Sequence, residues 1–344
     1  MSMEHFSAGD ALRIYNEATA ELSNVIYGEP HAKDAVLAAI AMRKPLILTG
    51  LPGGGKSTLS EITPSLIEDV RSGDVALISG QHDLTANQLI GGNVVTEKQV
   101  EVDGETRTER ANTRITGIVT PSTKVVRLEE MNGTNPLAMR SLLPVLENKR
   151  IENSAGELEI PGLVTVIGTM NPTESRQSTF TISDAMASRF AMGALMGVKG
   201  SAEQRKQEMR AIRDLKRRME AAYGADVKPA DLVEPVTTTI GLTALRGYLL
   251  GTQIDPSTED KLDELAIGTA DVLEGLKVHE TDRRIGQQIE LSAKALGGLR
   301  NREHTVRDED LHDAVRTVIL ARLGALRRTD HLDIEAVVQG ITKF

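Results

Sequence analysis

Residues Gly50-Leu51-Pro52-Gly53-Gly54-Gly55-Lys56-Ser57-Thr58 satisfy the spacing G-x-x-x-x-G-K-[ST] and follow the apolar run Pro45-Leu46-Ile47-Leu48-Thr49. The chemistry this spacing suits is phosphate binding. Glycines allow a turn in which backbone N–H groups converge on an anion. Lys56 then offers a point charge to the β- and γ-phosphates, Ser57 a hydroxyl to Mg²⁺, and the following helix its positive end. The expected nucleotide-binding residues are Gly50, Pro52, Gly53, Gly54, Gly55, Lys56, Ser57 and Thr58. A second candidate is Glu129-Glu130, at the end of the run Lys124-Val125-Val126-Arg127-Leu128. One carboxylate of such a pair reaches the magnesium shell, here Glu129, and the other polarises the attacking water, here Glu130. With 49 acidic residues in the chain, adjacent acids are common. Two at the C-terminal end of an apolar strand are not, because ligand sites of parallel sheets lie at that end.

Two further residues have both plain and functional readings. Asn171 closes the apolar run Leu163 to Met170 and precedes Pro172, so it is a turn residue or a group that orients the attacking water. Arg189, near the end of the short helical stretch Ser183 to Phe190, is a surface arginine, a carboxylate partner or a catalytic cation. Arg127, inside the Glu129 strand, calls for a carboxylate partner.

These groups need a frame. Apolar spacing predicts helices over 8–26 and 30–42, a strand over 45–49, and a helix from the glycine loop through Leu59, Ile62, Leu66, Ile67 and Val70. A strand follows over 74–80, expected to pair in parallel with the loop strand because a helix separates them. Residues 84–120 depart from this rhythm. A short helix over 85–89 runs into Gly91-Gly92 and a β-hairpin turning at Asp103-Gly104. Its charges balance, so it is a solvated hairpin or one that touches a substrate or a neighbouring subunit. Next come the Glu129 strand, a helix over 136–148, a second hairpin over 150–160, and the Asn171 strand beside the loop strand. From about residue 200 only helical patterns appear, near 201–220, 242–250, 258–276, 282–299, 308–323 and 333–341. The fold class is α/β: a P-loop core with a parallel sheet flanked by helices and inserted β-hairpins, then an all-helical domain. The division expected is 1–199 for the core and 200–344 for the helical lid.

Composition narrows the chemistry. The 344 residues contain no cysteine and no tryptophan, and aromatics make up only 2%. Disulfides, thiolate metal sites and cysteine nucleophiles are excluded, and the cores must be aliphatic. No apolar run approaches a membrane span, and residues 1–10 lack a signal-peptide pattern, so a cytoplasmic protein is expected. The net charge of −9 weighs against a mainly electrostatic nucleic-acid binder. The seven histidines are scattered without a His-x-x-x-His pair.

Taken together, the motifs resemble those of AAA+ ATPases, specifically the MoxR branch and relatives with an insertion around the second helix. The resemblance covers about residues 8–325. Glu129-Glu130-Met131-Asn132 stands where the family has Asp-Glu-Ile-Asn, which implies a catalytic acid at Glu130 and lengthens the metal-shell carboxylate at Glu129 by one methylene. Gly168-Thr169-Met170-Asn171-Pro172 is similar to Ala-Thr-Gln-Asn-Pro and implies sensor-1 duty for Asn171. Ala187-Ser188-Arg189-Phe190 is similar to Leu-Asp-Arg-Phe and implies that Arg189 is an arginine finger acting in trans. Thr281-Asp282-Arg283-Arg284 resembles the sensor-2 motif, with Arg283 the choice and Arg284 its neighbour. The resemblance implies ATP and Mg²⁺, with ATP between core and lid, and a hexameric ring of the chain with itself. It also implies a remodelled partner protein, commonly one with a von Willebrand A domain. Rival readings are a nucleic-acid-associated motor of the McrB type and a nucleotide-driven assembly switch that hydrolyses slowly.

Overall fold

The structure is a computed structural model that describes residues 6–102, 105–171, 180, 182–197, 202–223, 228–278, 280–325 and 333–343. Two helices open it, α1 (Ala8–Val25) and α2 (Pro30–Met42). Ser7 and Asp10 close a reciprocal capping box on α1, and Pro30 starts α2, where a missing N–H costs nothing. Strand β1 (Leu46–Gly50) is buried along its whole length and delivers the chain to the glycine loop and α3 (Lys56–Ile62). After β2 (Val75–Ser79) and α4 (Ala86–Ile90), the first hairpin is β3 (Gly92–Val102) with β4 (Glu105–Ile115). Then come β5 (Val125–Glu129), α5 (Pro136–Arg140) and α6 (Leu143–Asn148), and the second hairpin, β6 (Arg150–Asn153) with β7 (Gly156–Glu159). Strand β8 (Thr165–Met170), α7 (Asp184–Ala187) and β9 (Met192–Met196) complete the sheet. Helices α8 (Ala202–Tyr223), α9 (Thr239–Leu250), α10 (Pro256–Gly275), α11 (Asp282–Arg300), α12 (Asp308–Ala325) and α13 (Ile334–Ile341) follow.

The five-stranded sheet has the order β2-β5-β8-β1-β9, and its neighbours are parallel. Strand β8 lies beside β1, as the sequence predicts. Strand β2 does not: it pairs with β5 at the far edge, because the two strands that carry Glu129 and Asn171 insert between it and β1. The other neighbour of β1 is β9, a strand the apolar patterning misses. Its sequence, Met-Gly-Ala-Leu-Met, has no β-branched residue and so carries no strand propensity of its own. It is a strand because it is buried between β1 and α12. A Cβ on Gly193 would lie 2.2 Å from the Ala321 nitrogen, so only glycine lets α12 come this close.

Apolar packing crosses the expected boundary at 199/200. One buried cluster joins Ile47, Val126 and Phe190 to Ile319 and Leu323, and another joins Leu22, Val36 and Leu48 to Leu242, Leu296 and Leu299. The C-terminal helices are therefore built onto the core rather than set apart from it. The base of the first hairpin meets the turn of the second, where Asn93 N–H donates to Ser154 Oγ (2.7 Å), and Asn153 Nδ2 of that turn donates to the carbonyl of Ile90 at the end of α4 (2.8 Å). Among the described residues no helix is long and apolar enough to cross a membrane.

Candidate nucleotide site

The glycine loop is bent by left-handed backbone at Gly53 (φ 79°) and Gly55 (φ 83°), which caps α3. Gly50 is fixed by contact as well, since a Cβ there would sit 1.9 Å from the Met196 carbonyl oxygen of β9. The first N–H groups of α3 have no intrahelical acceptor and no side-chain cap, and Ser57 is exposed beside them. Lys56 is buried, and its ammonium donates to the carbonyls of Gly50 and Leu51, both at 2.8 Å. Burial pushes its pKa below the usual lysine value, and the Glu130 carboxylate opposes that shift. Lys56 and Glu130 therefore act on one another electrostatically, as residues at the C-terminal ends of β1 and β5 should.

Glu130 stands on strained backbone, with a left-handed φ of 48°. Its N–H is held by Thr169 Oγ1 of β8 at 3.1 Å. Thr169 is a positioning residue that the sequence reading passes over, one residue away from the expected Met170-Asn171 strand end. Asn171 is half-buried directly after β8, at the same end of the sheet. Pro172 lies outside the described residues.

Glu129 and Arg127 are two residues apart on one strand and share a face. Arg127 Nη2 contacts Glu129 Oε1 at 2.6 Å, and Arg127 Nε donates to the buried Ser60 Oγ of α3 at 3.1 Å. Arg127 thus has the carboxylate partner its position demands, and that partner is the expected metal-shell residue itself. Ser57, Glu129 and Glu130 offer only oxygen ligands, a set that fits Mg²⁺ when substrate phosphates supply the remaining donors. One Glu129 oxygen is engaged by Arg127.

Arg189 is at the other end of the sheet. It precedes β9, and the Ala191 N–H donates to the carbonyl of Pro45, just before β1. Five residues of strand, about 16 Å, separate this point from the glycine loop. Arg189 Nε and Nη2 bind one oxygen of Glu147 at 3.3 and 3.0 Å, and Nη1 donates to the Ala185 carbonyl at 2.9 Å. Arg284 of α11 comes to the same place. Its Nη1 donates to Ser188 Oγ (3.2 Å), and its Nη2 lies 3.8 Å from Glu147. Lys44, Glu147, Arg189 and Arg284 line an open cleft of about 410 Å³.

The structure does not bring Arg283 to this group. It is exposed in a groove between α10 and α11, lined by Glu259, Asp263 and Glu290. Nor does the start of α11 cover the glycine loop of its own chain, so ATP between this loop and this lid is not the arrangement found. The flank of the loop is instead β9 and the segment before α2, where Glu29 accepts from the Gly197 N–H at 2.8 Å. The reason lies in how the lid docks. Arg322 of α12 is fully buried, pairs with Glu280, and donates to the carbonyl of Phe190 at 2.5 Å and to Gln288 of α11. These bonds fasten the lid to the residues just after Arg189.

Comparison with known proteins bears on the fold. Residues 45–190 match the family model of the AAA domain of the dynein-related subfamily. The crystal structure of a candidate ATPase from Cytophaga hutchinsonii ATCC 33406 superposes with a TM-score of 0.69 over 97% of this chain and 95% of that one, at 18% identity. The AAA match is confined to residues 45–190, and the chain as a whole shares its fold with that structure. Structural protein ORF618 of Acidianus two-tailed virus is 26% identical over 147 residues, which is 43% of this chain. The match spans only 22% of the viral protein's length.

Proposed function

We propose that the chain is an Mg²⁺-dependent ATPase of the MoxR type, whose active site forms only between two copies of itself. One observation carries this reading: the glycine loop and the Arg189–Arg284 pair, two halves of a phosphate site, lie at opposite ends of β1, so only a second copy can bring them together. In a ring, the loop of one subunit would receive the cleft of the next.

Backbone N–H groups of the loop would hold the phosphates, and Lys56 would exchange two carbonyl partners for β- and γ-phosphate oxygens. Mg²⁺, held through Ser57 and Glu129, would neutralise developing phosphate charge. Glu130 would take the proton from the attacking water, with Thr169 fixing its backbone and Asn171 aligning the water. Arg189 of the neighbour would meet the γ-phosphate, a contribution of about 10³ to 10⁵ in rate. Arg284, from the same cleft, takes the sensor-2 position that the resemblance gave to Arg283.

The ring is proposed to be hexameric and its client a partner protein, the paired hairpins being the surface that would meet it. One observation favours a second reading. The Arg127–Glu129 ion pair competes with the metal for Glu129, which suits a slowly hydrolysing assembly switch. Hydrolysis per subunit, measured against protein concentration with Glu130→Gln as the blank, separates the two. A rate that climbs with concentration and vanishes in the variant supports the motor. Rings that form with ATP and release no phosphate above the blank support the switch.

A further inference from the structure

Four cations crowd together at the N-terminal end of the sheet with too few anions to balance them. Arg43 and Lys44 precede β1, Lys149 follows α6, and Arg246 projects from α9. Each is partly shielded from solvent, and their charges act on one another. Asp69 is the carboxylate felt here, through Arg43. It is already engaged, accepting from the Thr239 N–H at 2.7 Å and the Thr239 hydroxyl, with Lys124 at 3.6 Å. The Nε atoms of Arg43 and Arg246 are buried and have no hydrogen-bond acceptor among the described residues.

This is not how the chain treats arginine elsewhere. Arg127, Arg189, Arg284, Arg300 and Arg322 are shielded too, and each forms an ion pair with a carboxylate; Arg316, whose Nε is likewise buried without an acceptor, still has Glu335 3.4 Å from its Nη1. Acids outnumber bases by 49 to 40, so acids are not in short supply. Shielded guanidinium forks without a carboxylate are suited to an incoming oxyanion, which they bind through paired N–H donors.

We infer that Arg43, Lys44, Lys149 and Arg246 form a second phosphate-binding site, distinct from the glycine loop, for a small oligophosphate of diphosphate length or longer. Four cations call for an anion carrying several charges, and buried donors favour a compact ligand over an extended nucleic-acid backbone. Lys44 also lines the Arg189 cleft, which provides the entrance. Burial and the three neighbouring cations push the Lys149 ammonium down to about 8, a strain that a bound anion would relieve. The site stands on its own observations and does not depend on the ATPase reading.

The test removes the first phosphate site. Lys56→Ala protein is titrated calorimetrically with inorganic pyrophosphate at fixed ionic strength without Mg²⁺, alone and with Arg43→Gln or Arg246→Gln. The expected result is saturable binding to the Lys56→Ala protein that weakens at least 10-fold in either double variant. Displacement of pyrophosphate by ATP would identify the ligand as a nucleotide's phosphate tail, and its absence would identify a free oligophosphate; both lie within the proposal. No saturable binding, binding indifferent to both arginines, or binding of single-stranded nucleic acid alone would overturn it. Without ligand, Arg246→Gln relieves repulsion and should unfold no earlier than its parent. A midpoint lowered by several degrees would make Arg246 a structural residue and also overturn the site.

Discussion

Replacing Arg322 by methionine removes the guanidinium that fastens the lid to the core and leaves Glu280 behind. The Arg322 side chain is 0% exposed and that of Glu280 4%, so the remaining carboxylate has almost no access to water and keeps only the more distant Arg284 Nε, at 3.9 Å. The carbonyl of Phe190 and the side chain of Gln288 lose their donor as well. Breaking a buried ion pair from one side destabilises by about 3 to 5 kcal/mol, most of it the uncompensated charge. That is a large part of the 5 to 15 kcal/mol by which such chains are usually stable. Adding Glu280→Gln removes the stranded charge, so the double variant should recover at least about 2 kcal/mol of the loss. Urea unfolding of the wild type, both single variants and the double variant gives the coupling directly. Arg322→Met should also lower ATP hydrolysis at temperatures where it is folded, because the bond to Phe190 sets the backbone just after Arg189. A single variant within about 1 kcal/mol of wild type, or a double variant that loses the sum of the two single effects, would refute the buried-anchor argument.

Two other perturbations follow from the site. Glu147→Gln releases Arg189 and Arg284 from the carboxylate they share, so the midpoint of the rate-versus-concentration curve should fall about 3- to 10-fold, roughly 1 kcal/mol for a partly exposed pair; an unchanged or higher midpoint would show that Glu147 does not restrain them. Arg127→Val frees Glu129 for the metal, so the Mg²⁺ concentration for half-maximal binding of a fluorescent nucleotide should fall about 10-fold, the worth of one charged hydrogen bond. A rise instead would mean that Arg127 holds Glu129 ready for the metal.

The glycine loop and its flanking strand were legible because the constraint is local: left-handed backbone at Gly53 and Gly55, and a carbonyl pressed against Gly50, leave few alternatives. Helical periodicity located α9 to α13 for the same reason, since each buries one face along its own length. What failed was set by distant contacts. Strand β9 is a run of methionine, glycine, alanine and leucine that becomes a strand only between β1 and α12. The partner of β2 depends on strand order, which no stretch of the chain encodes. Arg283 and Arg284 are neighbours about 100° apart on a helix, and spacing does not choose between them. Which of them faces the Arg189–Glu147 cleft is decided by how α11 docks, through Gln288 and Arg322, residues that no motif singles out. Glu147 lies within the helix that follows the Glu129-Glu130 pair, and its role appears only once Arg189 and Arg284 are seen to converge on it.

The most direct measurement mixes two inactive proteins, Lys56→Ala with its glycine loop disabled and Arg189→Ala with its cleft disabled. The first should retain an intact cleft and the second an intact loop. If the site is shared, neither should hydrolyse ATP measurably alone, and the mixture should recover a substantial fraction of the wild-type rate that varies with the mixing ratio. A mixture as inactive as its components, or Arg189→Ala alone hydrolysing at the wild-type rate, would contradict a site built from two subunits.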